Sequence, residues 1–355
     1  MRSSSPLVTK NSVPLPVEFH NSAAFAQEEC QNMSTQKDED GHLPPPNAAA
    51  PIRSVLIAGC GYSGLRAARS WISSGAHVSA VTRTAARAQE LAACGVHPLV
   101  LDLTDSGVWP ELPDADVVVW SVGFDRSGGH SREAVWLDGL QRFLKRLPGG
   151  KNRRRILLTS STSVYGDCGG GEVDERTEPQ PEQDGGRVCL AAEQLLQEFA
   201  AASGWTAVVL RLAGIYGPGR LLRRLEDLRA GVPITASADS WLNLVHVHDV
   251  VQTLRFCAEH PRPPGTLNVA AEYTATRREY YETLAELAGT RAPVFAEPAA
   301  GAASQRSGNR RVTSLHRREL GLTFAYEHCR DGLRQALPGD TAAGISATAQ
   351  IPKPL

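Results

Sequence analysis

The chain has 355 residues, with 37 Lys and Arg against 38 Asp and Glu and a formal net charge of −1. That length suits one large α/β domain with a smaller lobe, and that balance excludes nucleic acid and membrane surfaces as the expected partners. Seven cysteines with no CxxC pair point to reduced thiols and a cytoplasmic setting rather than to disulfides or zinc, and no apolar run reaches the roughly 18 residues of a membrane span.

Residues 1–50 are rich in Ser, Pro, Asn and Gln, carry the run Asp38-Glu39-Asp40 and end in Pro44-Pro45-Pro46. No apolar period crosses them, so they read as a disordered extension, with neither a signal-peptide core nor a transit-peptide composition. Met33 offers an alternative start. From Arg53 onward apolar runs alternate with helical patterns. Strands are expected at 54–58, 77–82, 97–102, 115–122, 155–161 and 207–212, and helices at 62–74, 85–94, 131–147 and 188–201. Segment 217–243 reads as a basic helix and loop, followed by strands 244–247 and 266–269 around a helix at 249–259. Helices at 276–288 and 313–320 and a disordered tail at 339–355 complete the chain.

Strands separated by helices of this length imply parallel pairing with right-handed crossovers, and strands apolar throughout imply a sheet covered on both faces. The expected fold class is α/β, a Rossmann-type doubly wound parallel sheet with a smaller, interleaved C-terminal substrate lobe. Residues 53–216 and 244–271 would form the NAD(P)-binding domain, and 217–243 with 272–338 the lobe. Such sheets bind ligands at the carboxyl ends of their strands.

Gly59-Cys60-Gly61-Tyr62-Ser63-Gly64 stands between the first strand and the first helix. The first glycine suits a tight turn, the second a close approach of pyrophosphate, and the third close packing of helix on strand. The amides of Tyr62 and Ser63 at the helix start would face the phosphates. An NAD site usually carries Asp or Glu at the end of the second strand, whereas here Thr82 is followed by Arg83, with Arg87 one turn on. A guanidinium in place of a carboxylate fits a 2′-phosphate, so NADP(H) is the expected cofactor and NAD the alternative. Asp102, at the end of the third strand, either accepts from the adenine amino group or caps the next turn.

The segment Thr159-Ser160-Ser161-Thr162-Ser163-Val164-Tyr165-Gly166 resembles the extended short-chain dehydrogenase/reductase family, the NAD-dependent epimerase/dehydratases. Val122-Gly123 after the fourth strand, Arg211 to Gly219 after the sixth and Val245 to Val250 fit the same pattern. The stretch from Phe124-Asp125-Arg126-Ser127 to Gly139-Leu140, with Gly308 to Val312 and Arg318 to Gly321, is similar to the YeeZ-like branch. The resemblance covers about 53–338 and implies that Val122 and Gly123 line the cofactor and that Ser161 is a catalytic hydroxyl. It also implies a small-molecule substrate, anionic or nucleotide-linked as in sugar epimerases, and a homodimer.

The family's YxxxK pair is absent, because the Tyr position falls on Gly185 and the Lys position on Cys189. A YxxxK pair works because residues four apart share a helix face, and neither glycine nor cysteine can supply its chemistry. Tyr165 is the candidate substitute in the catalytic set, with Tyr216 and Arg187 as lesser ones. The function expected is an NADP(H)-dependent oxidoreductase with an atypical active site, against a non-catalytic NADP(H)-binding regulatory or redox-sensing protein. His246 and His248 would alternate along a strand and point to opposite faces, so no metal is expected, and Asp249 would cap the following helix. Lys151, Arg153, Arg154 and Arg155 read as a solvated connection. Arg220, Arg223, Arg224, Arg306, Arg310 and Arg311 are either substrate-facing or surface cations.

Overall fold

The computed structural model describes residues 51–125, 128–149, 154–296 and 308–337, and not the side chains of 222–224. The expectations for 1–50 and 339–355, and those for Arg126, Ser127, Lys151, Arg153 and Arg306, lie outside these residues.

In chain order the first elements are β1 (Ser54–Ala58), α1 (Tyr62–Ser73), β2 (His77–Thr82), α2 (Ala85–Ala92), β3 (His97–Val100) and β4 (Val117–Trp120). A π-helical turn at Ala134–Asp138 then leads into α3 (Gly139–Arg146), and β5 (Arg155–Ser161) runs into a 3₁₀ turn at Thr162–Tyr165. Next come β6 (Glu172–Val173), α4 (Asp184–Ser203), β7 (Thr206–Leu212), β8 (Gly214–Tyr216), α5 (Leu222–Arg229), β9 (Ile234–Thr235), β10 (Trp241–Leu242) and β11 (Leu244–His246). The order closes with α6 (Val247–Glu259), β12 (Thr266–Val269), β13 (Ala275–Thr276), α7 (Arg277–Leu287), β14 (Phe295–Ala296), β15 (Arg311–Val312), α8 (Leu315–Glu319) and α9 (Cys329–Ala336).

Seven strands form one parallel sheet in the order β12-β7-β5-β4-β1-β2-β3. The order turns back on either side of β1 and β4, as in a doubly wound sheet, and the crevice between those strands is the topological switch point. Val117, Val118, Val119 and Trp120 are all buried in β4, as a strand covered on both faces requires. A second apolar cluster gathers Tyr216, Leu228, Ile234, Tyr280, Tyr281, Leu284 and Leu333.

Three local expectations need correcting. Segment 244–247 does not join the main sheet: β11 pairs only with β8, and the chain turns helical at Val247. His246 and His248 therefore do not alternate along one strand. His246 is the N-cap of α6, and its Nδ1 accepts from the His248 amide. Asp249 is not the cap either. It is fully buried in the first turn of α6, and its carboxylate accepts from the Ala325 and Tyr326 amides at 2.8 and 3.2 Å, tying that loop to the helix.

Helix α4 starts four residues earlier than the apolar pattern suggested, at Asp184. Gly185 and Gly186 weaken a helix by intrinsic propensity, but packing overrides that preference here. A Cβ on Gly186 would stand 2.5 Å from the Ser163 carbonyl oxygen, so its absence lets α4 lie directly on the 3₁₀ turn. Arg154 and Arg155, of the basic connection before β5, are not solvated as expected. Arg154 is buried and pairs with Asp114 at 2.5 Å, and Arg155 donates to the carbonyls of Cys257 and Ala258 at the end of α6. Those carbonyls form the negative end of a helix, where a guanidinium is stabilising.

Candidate cofactor site

Two of the three glycines of the turn have the backbone roles their spacing suggests. Gly59 has φ +87°, and a Cβ there would stand 2.4 Å from the Ser121 carbonyl oxygen after β4. A Cβ on Gly64 would stand 2.5 Å from the Gly59 carbonyl, so this glycine lets α1 pack on the turn. Gly61 is different: its Cβ position has no atom within 4 Å. The middle glycine therefore fronts open space. Gly61 is also the N-cap of α1, and the first turn has neither a side-chain cap nor an acidic residue. Uncapped amides and a positive dipole end next to empty space are the features that suit an anion.

Tyr62 and Ser63 occupy that first turn. Ser63 is buried, and the Tyr62 hydroxyl donates to the Pro218 carbonyl at 3.1 Å. The guanidiniums of Arg66 and Arg220 stack on the Tyr62 ring with 4.0 and 5.2 Å to its centre. Arg220 thus packs on the phosphate loop.

Beside the turn opens a cavity of about 240 Å³ lined by Gly59 to Gly61, Thr82, Arg83, Arg87, Asp102, Thr104, Ser121 to Gly123 and His130. Arg83, Asp102, Val122 and Gly123 thus meet in one place, across the ends of β2, β3 and β4. Arg83 Nη2 lies 3.1 Å from Asp125 Oδ2, with both side chains about half exposed. Such a pair contributes little and can open to another anion. Arg87 donates to the Cys60 carbonyl at 3.1 Å, bracing the phosphate turn from α2. Asp102 Oδ1 accepts from both the amide and the hydroxyl of Thr104, at 2.8 and 2.7 Å, so it fixes a turn while facing the cavity. Burial pushes its carboxyl up, but the Thr104 hydrogen bonds and the nearby His130 and Arg83 charges bring it below its ordinary value. Thr104 and His130 escaped the sequence reading, although Asp102-x-Thr104 is a recognisable turn pattern.

Ser161 ends β5, half-buried, and its Oγ accepts from the Ser163 amide at 3.1 Å. A hydroxyl that accepts once keeps its hydrogen to donate. Tyr165 is placed differently. Its ring is 1% exposed, its hydroxyl donates to Asn268 Oδ1 at 2.8 Å and it accepts from Arg211 Nη1 at 2.9 Å. Arg211 in turn grips Glu193 on α4, which also accepts from the Ser160 hydroxyl at 2.5 Å. Burial raises the Tyr165 pKa, keeping the phenol protonated near neutral pH. The lesser candidates are placed otherwise: Tyr216 is packed away, 1% exposed against Gly332, and Arg187 pairs with Asp184 at the exposed start of α4. Arg310 is buried and donates to the Gly166 carbonyl at 2.6 Å, which makes it a strut rather than a substrate-facing cation.

At the dyad positions, Gly185 and Cys189 lie one turn apart on α4. Cys189 is buried, and burial pushes its thiol up to about 11, so it is neutral at physiological pH. Beside them stands a residue that no motif or spacing singles out. Arg132 Cζ and Nε lie 3.7 Å from where a Cβ on Gly185 would be, and its guanidinium stacks on the Phe124 ring with 4.3 Å to the centre.

A doubly wound parallel sheet with a glycine turn, an uncapped helix start and a cavity at the switch point defines a Rossmann dinucleotide-binding fold. The chain matches the NAD dependent epimerase/dehydratase family over residues 55–270, and it belongs to that family. It is 29% identical over 287 residues to protein YeeZ of Escherichia coli (strain K12), covering 78% of this chain and 97% of YeeZ. A functionally unknown conserved protein from Silicibacter pomeroyi DSS is similar in structure, with TM-score 0.65 and 27% identity over 79% of this chain and 96% of that one. MoeE5 in complex with UDP-glucuronic acid and NAD shares the fold with TM-score 0.63 at 24% identity, over 79% of this chain and 97% of that one. Among the described residues no helix is long and apolar enough to cross a membrane.

Proposed function

We propose that the chain is an NADP(H)-dependent oxidoreductase of the epimerase type, acting on an anionic, nucleotide-linked small molecule in a reducing, cytoplasmic setting. The observation that carries this reading is the open face at Gly61, an uncapped helix start beside a cavity whose β2 end bears Thr82, Arg83 and Arg87, with Arg83 paired to the half-exposed Asp125. The pyrophosphate would lie on the amides of Gly61, Tyr62 and Ser63. Arg83 would exchange its exposed partner Asp125 for the 2′-phosphate. Asp102 would face the adenine, and Val122 and Gly123 would line the cofactor after β4. The MoeE5 ligands support a nucleotide sugar as the second substrate class.

Bound nicotinamide would supply the hydride donor or acceptor. Ser161 would donate its hydroxyl hydrogen to the ligand oxygen on the carbon that changes oxidation state. Tyr165 keeps a structural role in the buried Arg211–Glu193 network. With Gly185 and Cys189 at the dyad positions, the proton would pass through water or a ligand group. That same vacancy favours a second reading, an NADP(H)-binding regulatory or redox-sensing protein without turnover.

Calorimetric titration with NADPH and NADH tests the cofactor assignment. NADPH should bind at least about tenfold tighter, and Arg83→Ala should remove the preference, because a charge-assisted bidentate contact is lost. Equal affinities in the wild type would overturn the NADP(H) assignment. Oxidation or reduction of the bound nicotinamide on adding a nucleotide sugar, followed by absorbance, separates the enzyme from the sensor.

A further inference from the structure

We infer that Arg132, packed against Gly185 on the helix that lies on the turn after Ser161, holds the carboxylate of a nucleotide-linked uronate. This rests on the nucleotide-sugar reading above and adds to it the charge on the sugar.

Three features of the surroundings converge on Arg132. Its guanidinium fills the volume into which a side chain at 185 would grow, 3.7 Å from the absent Cβ, so an arginine from the wall after β4 replaces the missing helix dyad. Its plane is held against Phe124, and Phe124 directly follows Val122 and Gly123 of the cofactor cavity. Stacking fixes the plane of a guanidinium and leaves its edge N–H donors to grip an acceptor. Among the described residues no carboxylate lies within ion-pair distance of Arg132, a condition it shares with Arg66 and Arg220 over the Tyr62 ring.

The backbone that carries it is also unusual. Ser131 caps the segment by accepting from the Ala134 amide at 3.1 Å, and the π-helical turn Ala134–Asp138 follows at once. Such turns re-aim side chains and recur at functional sites. Val135 of that turn lines the cofactor cavity, so the re-aimed stretch forms the cavity wall.

An arginine cannot serve as the acid or base that the absent tyrosine would be. It can bind a planar anion with two parallel hydrogen bonds. The pyrophosphate of a nucleotide sugar is tetrahedral at each phosphorus and esterified at C1, so the planar anion available on the rest of the sugar is a carboxylate borne on C5.

The test is calorimetry on the full chain saturated with NADPH, using UDP-glucuronic acid and UDP-glucose as probes. The wild type should bind the uronate at least about tenfold tighter, as expected for one charge-assisted bidentate contact. Arg132→Gln should bring the two affinities within about twofold of each other, while Arg132→Lys, keeping the charge without the fork, should retain part of the preference. An unchanged thermal midpoint in both variants would mark the effect as local. Equal affinities in the wild type, or a preference that survives Arg132→Gln, would overturn this inference and leave the nucleotide-sugar reading standing. Binding of neither probe would overturn both.

Discussion

Arg211 on β7 and Glu193 on α4 form a buried ion pair at 2.8 Å, with side chains 8% and 2% exposed. The pair links the sheet to the helix that carries Gly185 and Cys189, and through Ser160 and Tyr165 it reaches the end of β5. Removing one member of such a pair leaves an uncompensated buried charge. Glu193→Ala should therefore lower unfolding stability by about 3–5 kcal/mol, read by urea denaturation. A loss below about 1 kcal/mol would mean that water reaches Arg211 freely.

Tyr165 gives a separate test of structural against catalytic roles. Tyr165→Phe removes the donor to Asn268 and the acceptor for Arg211, both buried, and should cost about 1–3 kcal/mol of stability. NADPH affinity, measured by calorimetry, should stay within about twofold. Intact stability with abolished turnover would return Tyr165 to the catalytic set.

His246 provides a pH signature. It is 1% exposed, and burial pulls its pKa down to about 4, against an ordinary value near 6.5. The unfolded chain therefore binds this proton first. Stability from the neutral imidazole is full above about pH 7 and falls as pH drops from 6.5 toward 4, at up to about 1.4 kcal/mol per pH unit. His246→Asn, which can still cap α6, should show a shallower loss over that window in denaturation experiments. Identical slopes for the two proteins would contradict the burial of a neutral ring.

Much of the frame was legible because single residues carried strong local rules. The runs 54–58, 77–82 and 155–161 became β1, β2 and β5 with unchanged bounds, since apolar strands between turn residues leave little choice. The glycine turn was legible for a similar reason: Gly59 and Gly64 each answer a backbone requirement that spacing alone displays. What was hidden depends on tertiary packing. His246 and His248 look like a strand pair, yet helix α6 begins between them. Arg154 and Arg310 look like surface cations, yet each is buried among carbonyl acceptors. Arg132 lies 53 positions before Gly185, and no spacing rule connects a loop cation to a vacancy on a distant helix.

The central claim is that the open face at Gly61 receives a dinucleotide pyrophosphate, and the substitution Gly61→Ala tests it most directly. The added methyl enters space with no atom within 4 Å, so the fold should persist with a thermal midpoint within a few degrees of wild type. NADPH affinity, by calorimetry on both proteins, should fall at least about tenfold, because the methyl occupies the approach path of the phosphates. Undiminished NADPH binding by the folded variant, or no binding by the wild type, would contradict the account.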